Sequence, residues 1–404
     1  MEKLYYSNPY QKEWNSEILS VIEKDNAYHI ELKDTYFYPE GGGQPSDTGL
    51  INDNPVSYVY ELDGRILHVT KIKPTKIHNV KCKINWERRY DHMQQHLGQH
   101  ILSAAFIDLF GANTIGFHLG AEISTIDLDK FITEENILEA EKISNNIVIE
   151  NIDVESLFPS YTELKKLSLR KALPKTQEQI RIIKIGDFDV NACCGTHPET
   201  TIEVQLIKIT SFEKYKNGMR IYFVCGNRAI SDYNNKHNII KKVSVLLSCS
   251  ENNIIDDISR IRSELNKAQS DIRYLKEEAA NYEVLNILNN CPLINDVKVV
   301  KTIYDNCDLK YINLIASKLT SHSKVIVLFG VKLEGKCQLI FMKAKDISEV
   351  NMNILLKDAI TLIDGKGGGS DFSAQGGGKN SNNLESSIDY AFNKVKEALS
   401  VNSN

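Results

Sequence analysis

The chain has 404 residues, a formal net charge of −5, 42% hydrophobic and 25% charged side chains, which suits two or three folded domains, each burying its own core. Net negative charge excludes a global pull on nucleic acid, so an RNA partner must be met by local patches. No apolar run approaches the roughly 20 residues needed to span a bilayer, and MEKLYYSNPYQKEW has no apolar signal core, so a cytoplasmic protein with no membrane partner is expected.

An α+β fold with several domains is predicted. The first stretch, 1–88, reads as β structure: YHIELKDTYFYPEGGGQPSDTGLI alternates, turns and resumes, and VYELDGRILHVT carries a DG dipeptide between two alternating runs, a hairpin signal. A small barrel-like domain follows from this pattern. Helical periodicity runs from Trp86 to Phe110, with an apolar stripe at Leu97, Ile101, Ala104, Ala105 and Leu109 that stops at Gly111. A second helix is predicted over 134–150, then mixed α and β segments including VQLIKITSF and MRIYFVC; together 89–232 make an α/β domain. Within it Lys165, Lys166, Arg170, Lys171 and Lys175 form the best basic patch for RNA.

From Ile254 to Tyr282 the apolar residues keep a 4-3-4-3 spacing with no Pro or Gly, which predicts a long coiled-coil-like linker over 233–290. Its seam pairs with the helix just before it or with a second subunit, which makes a homodimer through the linker or the C-terminal domain one of the expectations. Residues 291–404 read as a separate α/β domain ending in DGKGGGSDFSAQGGGKN and a helix. Gly367, Gly368, Gly369, Gly376, Gly377 and Gly378 form a Gly-rich loop in this reading, one that lets backbone amides approach a phosphate or ribose. No Walker A pattern is present.

Two short knots carry chemistry. In HMQQHLGQH, His92, His96 and His100 recur every four residues and share one helix face. In NACCGTHPE, Cys193 or Cys194 precedes His197 with Gly and Thr between. Imidazole and thiolate together suit zinc, and two half-sites fill a tetrahedron, so one Zn2+ per chain is expected. Spacing alone does not choose between His92/His96 and His96/His100, nor between Cys193 and Cys194. No H-E-x-x-H is present, so a zinc peptidase is disfavoured. Cys82, Cys225, Cys249, Cys291, Cys307 and Cys337 stand apart and read as small hydrophobes of a reducing compartment.

EGGGQPSDTG, HLGQHILSAAF and CCGTHP together resemble the editing portion of alanyl-tRNA synthetases and the freestanding AlaX alanyl-tRNA editing proteins. The resemblance continues through MRIYFVCGNRAI, the heptad stretch and GKGGGSDFSAQGGG, and so covers nearly the whole chain in the manner of the long AlaX form. It implies zinc ligands His96, His100, Cys193 and His197, with His92 a neighbour and Cys194 standing where the synthetases have Gly. It implies a Gly-rich C-terminal domain that contacts tRNA, and hydrolysis of tRNA(Ala) mischarged with serine or glycine. With no adenylate-forming segment in view, the expected substrate is charged elsewhere. Thr114 and Gln44 are the candidates for contact with a serine hydroxyl, with His118 a further polar candidate. The alternative is a non-catalytic RNA-binding protein with a structural zinc.

Overall fold

Alternating runs in the N-terminal stretch become short strands because one face of each is apolar and is covered. The computed structural model describes residues 3–173 and 179–401, so Lys175 of the basic patch lies outside the described residues. The chain forms a mixed α and β structure in two units, Met1–Leu246 and Leu247–Asn404.

The first unit opens with a helical turn, α1 (Leu4–Ser7), and seven strands: β1 (Glu13–Ser16), β2 (Ile18–Lys24), β3 (Ala27–Leu32), β4 (Gly49–Ile51), β5 (Asn54–Leu62), β6 (Arg65–Thr70) and β7 (Val80–Ile84). They pair antiparallel in the order β1-β7-β4-β5-β6-β3-β2. The two ends of that order, β1 and β2, are separated in the chain only by Glu17. The sheet therefore curls until its edges meet at one bent segment. Ile30, Leu32, Phe37, Val59, Val80 and Ile84 fill its interior. The β5–β6 hairpin turns at Asp63 and Gly64, both at positive φ, as the DG dipeptide leads one to expect.

α2 (Trp86–Phe110) begins at Asn85, whose side chain accepts from the Arg88 amide, and ends at Gly111 in the left-handed region. Next come β8 (Thr114–Leu119), β9 (Ser124–Leu128), α3 (Glu134–Ile149), β10 (Val154–Leu157), α4 (Tyr161–Leu164), β11 (Ile182–Ile185), β12 (Asp189–Ala192), β13 (Ile207–Tyr215), β14 (Gly218–Cys225) and α5 (Gly226–Leu247). Two antiparallel sheets result, β13-β14-β9-β8 and β10-β11-β12. Leu97, Ile101 and Ala105 of α2 share a core with Ile126, Ile221 and Phe223 of the larger sheet. Gln95 clamps the backbone of Cys225 from both sides, donating to its carbonyl and accepting from its amide, each at 2.8 Å. A Cβ on Gly98 would lie 2.2 Å from the Cys225 sulfur, so only glycine lets the strand come this close.

The second unit holds α6 (Ile254–Asn290), β15 (Leu293–Ile294), β16 (Val297–Asp305), α7 (Leu309–Thr320), β17 (Val325–Leu333), β18 (Lys336–Lys343), α8 (Met352–Ala359), β19 (Lys366–Gly369), β20 (Ser373–Gly378) and α9 (Leu384–Val401). Its six-stranded sheet, β15-β16-β17-β18-β20-β19, is parallel at β16/β17 and antiparallel elsewhere. One face packs on α8 and α9, the other on α7 and the end of α6. The glycine triads are not a loop: Gly367–Gly369 and Gly376–Gly378 are paired strands of a hairpin. The cause is packing, since a Cβ on Gly376 or Gly378 would lie 2.2 Å from Ile360 or Ile363. Gly368 and Gly377 meet nothing closer than 3.5 Å.

The heptad stretch is one continuous 37-residue helix. Ala280, Val284 and Leu288 at its end are buried, whereas Ile258, Ile261, Leu265, Ile272, Leu275 and Tyr282 are exposed. Among the described residues no helix is long and apolar enough to cross a membrane.

Candidate metal centre and cavity

Because α2 turns 100° per residue, His96 and His100 present neighbouring positions on the face that meets the loop after β12. That loop carries Cys193 and His197. The four side chains are buried, and their ligand atoms lie within 4.8 Å of one another. Cys193 Sγ is 3.3 Å from His96 Nε2 and 3.5 Å from His197 Nε2. Donor separations of this size match the edges of a tetrahedron with metal–nitrogen and metal–sulfur bonds of about 2.0–2.3 Å. Two nitrogens and a sulfur this close, with a third imidazole beside them, fit a soft-to-borderline divalent ion.

Of the alternatives left open by spacing, the geometry brings His96, His100 and Cys193 together with His197. His92 is buried one turn away, outside the cluster, with its Nδ1 unpartnered among the described residues. Burial, together with Arg88, Arg228 and Arg89, pushes its pKa down to about 3. Cys193 enters the cluster, whereas the Cys194 side chain is exposed. Burial raises the Cys193 thiol, but the imidazoles of His96, His197 and His100 outweigh it and hold the pKa well below the usual value. The thiolate is thus the favoured form, as ligation requires. All eight cysteines are free thiols; Cys82, Cys225 and Cys337 are buried, and Cys249, Cys291 and Cys307 are partly so.

Two of the imidazole donors, His96 and His100, are aimed by a partner behind the ring, whereas His197 Nδ1 has none among the described residues. Gln44 Oε1 is 2.9 Å from His96 Nδ1 and accepts from the Thr196 amide, while its Nε2 donates to Thr196 Oγ1. Gln44 therefore orients His96 and the CCGTH loop and does not line the cavity. Asp189 lies 3.0 Å from His100 Nδ1 and accepts a fork from Arg170 at 2.7 and 3.2 Å. Burial raises the Asp189 carboxyl, but His100 and Arg170 prevail and hold it below its usual pKa. These partners fix ring orientation in the way that outer carboxylates and amides do at metal sites. Arg181 donates to the carbonyls of Cys193 and Gly195, and Tyr6 donates to that of Cys194. A Cβ on Gly195 would lie 2.2 Å from the His96 ring.

The cluster borders a cavity of about 870 Å³ whose walls include Tyr6, His96, Gln99, Phe117, Phe158 and Arg181. That volume is in the range of small-molecule sites. Thr114 is not on its wall: its hydroxyl donates to Ser103 at 2.7 Å, behind the cavity. His118 lines a separate shallow depression with Arg220 and Tyr222. Of the basic patch, Lys165 and Lys166 are exposed and Lys171 is on the cavity wall, but Arg170 is committed to Asp189. Sequence reading missed Asp189, Arg181, Tyr6 and Gln99. Only Gln99 carried a signal, lying inside HLGQH itself.

Residues 180–222 match the family profile described as the threonyl and alanyl tRNA synthetase second additional domain, and 296–399 match the DHHA1 domain. The alanyl-tRNA editing protein AlaX-L of Pyrococcus horikoshii is 33% identical over 99% of this chain and 100% of its own. The alanine–tRNA ligase of Methanobrevibacter smithii is 29% identical over 97% of this chain, which spans 45% of that ligase. The alanyl-tRNA editing protein Aarsd1 of Bos taurus is 32% identical over 66% of this chain and 61% of its own.

Proposed function

The chain belongs to the alanyl-tRNA editing proteins, which are deacylases of mischarged aminoacyl-tRNA, and on that premise we propose that it hydrolyses tRNA(Ala) carrying serine or glycine, with one zinc ion held by His96, His100, Cys193 and His197. The observation that supports this most directly is the cluster of four buried donors at the wall of an 870 Å³ cavity. A small substrate moiety entering that cavity meets the donors.

Zinc held there would polarise the ester carbonyl and stabilise the oxyanion that develops on hydrolysis. The chain's own residues do the rest. Gln44 and Asp189 hold the His96 and His100 rings, Arg181 and Tyr6 hold the Cys193–Gly195 backbone, and Phe117, with its ring 5.2 Å from that of His96, shields the donors from water. On this reading Gln44 acts by positioning His96, and Thr114 acts through Ser103.

The tRNA body is assigned to Lys165, Lys166 and Lys171 and to the glycine hairpin of the second unit. There Gly368 and Gly377 are open to an approaching backbone and lie beside Gln375 and Lys366. Arg170 is left out of this set because its guanidinium is engaged. Self-association through the exposed seam of α6 or the second unit belongs to the same proposal.

The test is deacylation of seryl-, glycyl- and alanyl-tRNA(Ala) by the wild type and by His100→Ala, with tRNA binding and zinc content measured on the same samples. The expected result is hydrolysis by the wild type, loss of zinc and hydrolysis in the variant, and retained tRNA binding. A zinc-loaded wild type that binds tRNA and leaves the esters as long-lived as buffer does would favour the binding module with a structural zinc.

A further inference from the structure

The cavity wall carries two buried polar side chains with hydrogen-bonding capacity unused among the described residues, Gln99 and Asn191, and of these Gln99 stands next to the donor His100 in the chain and is held in place from behind. Gln99 is 5% exposed and is part of the cavity wall, on α2 between the two histidines of the cluster. Its Nε2 donates to Ser103 Oγ at 2.8 Å, and Ser103 Oγ also accepts from Thr114 Oγ1 at 2.7 Å. Neither Ser103 nor Thr114 is on the cavity wall. The amide nitrogen is thus tied from behind, and the other end of the amide is Oε1, for which no hydrogen bond is seen among the described residues. Gln99 Oε1 is not one of the fully buried atoms left without a partner, so it is an acceptor available to whatever enters the cavity, and a ligand that displaces water from it without offering a donor loses a hydrogen bond.

We propose that Gln99 Oε1 is the group that selects the aminoacyl side chain, by accepting a hydrogen bond from a neutral hydroxyl, so that seryl esters are preferred over glycyl and alanyl ones. This rests on the deacylase reading of the same cavity. An ester whose carbonyl lies at the donor cluster has its side chain two bonds away, beside the residue that immediately precedes His100. The other donor on such a substrate is its α-ammonium, and the wall disfavours it. Lys3, Lys171 and Arg181 line the cavity, and among the described residues no Asp or Glu does. A neutral amide oxygen among cations suits a neutral donor. Alanine or glycine leaves the oxygen unpaired, and sites built to hydrogen-bond a substrate hydroxyl reject analogues that lack it by up to about 10⁴-fold. Ser103 and Thr114 are positioning residues, which restores to Thr114 an indirect part in the choice.

The experiment measures kcat/KM of the full chain for seryl-, glycyl- and alanyl-tRNA(Ala) with Gln99→Met, which keeps length and removes the acceptor, and Ser103→Ala, which releases the amide. Zinc content and thermal midpoint are recorded for each. The seryl-to-glycyl ratio is expected to fall about 10–100-fold in Gln99→Met, the effect of one buried hydrogen bond, and less in Ser103→Ala. Calorimetry with 3′-deoxy-3′-(serylamino)adenosine and its alanyl counterpart, which do not hydrolyse, should show a serine preference in the wild type that Gln99→Met loses. An unmoved ratio, or an equal fall for all three substrates, overturns the role of Gln99 while leaving the deacylase reading intact. A wild type inert on all three overturns that reading, and this proposal with it. Should Gln99→Met lose zinc, Ser103→Ala, which hydrogen-bonds to none of the four donors, decides.

Discussion

Gly195 has no side chain because the His96 ring occupies the space where its Cβ would sit, 2.2 Å away. Gly195→Ala therefore must push either the ring or the loop. It is expected to lower zinc stoichiometry well below one per chain while the fold persists, as read by metal analysis beside circular dichroism. Full zinc loading would show that the loop yields without cost. Asp189→Asn keeps the shape and removes the charge behind His100, and zinc affinity should fall about 10–100-fold by competitive chelation. A histidine outside the cluster contributes to loss of stability in acid. His68 is fully buried, lying 2.9 Å from the carbonyl of Ile30 through Nδ1 and 2.9 Å from Thr35 Oγ1 through Nε2. Those contacts suit the neutral ring, and burial pushes its pKa down to about 4. Its folded pKa lies below the unfolded value near 6.5, so the unfolded chain takes up the proton first as pH falls. Stability is flat above about pH 6.5 and is lost progressively between about 6.5 and 4, on the order of 3 kcal/mol in all. The thermal midpoint should drop less steeply from pH 7 to pH 5 in His68→Asn than in the wild type, and equal slopes would remove His68 from the account.

The long helix α6 changes character along its length. Its N-terminal two-thirds present an apolar stripe to solvent, while Ala280, Val284 and Leu288 pack in the core with α7. Substituting Asp at Val284 buries an unpaired charge and should cost about 3 kcal/mol or more, whereas Ile261→Asp should stay within about 1 kcal/mol for the isolated chain. Thermal melts compare the two, and similar losses would mean that the exposed stripe is covered in solution. Solution mass of an Ile261→Asp/Leu265→Asp double variant reports the same question directly: a fall from dimer to monomer assigns the seam to a second subunit. The helix α2 shows the opposite case, buried on nearly every face. Gln94, Gln95 and Gly98 are the means by which β14 and the start of α5 are held against it.

At the scale of the molecule, the candidate chemistry lies wholly within the first unit and the glycine hairpin wholly within the second. A fragment ending at Leu246 should therefore hydrolyse seryl-tRNA(Ala) with kcat within about threefold of the full chain and KM raised about tenfold or more, since it loses one of two linked tRNA contacts. Single-turnover and steady-state kinetics on both proteins test this. A fragment with intact zinc and no hydrolysis at saturating tRNA would mean that the second unit supplies part of the chemistry.

What the sequence by itself determined is what short-range periodicity encodes. The turn of the helix places His96 and His100 on one face, the DG hairpin and the glycine stop of α2 follow from backbone preference, and the 4-3-4-3 spacing becomes one continuous helix. Tertiary structure alone decided the rest. Which two of three equally spaced histidines join the cluster depends on how α2 is rotated against a loop about a hundred residues away. Gln44, Arg170 and Asp189 became supports of the donors because two loops and the start of β12, distant in sequence, deliver them there. The glycine triads became strands because Ile360 and Ile363 leave no room for a Cβ. Local spacing carries no term for such approach, because the distance between remote segments is set only when the cores that separate them are packed.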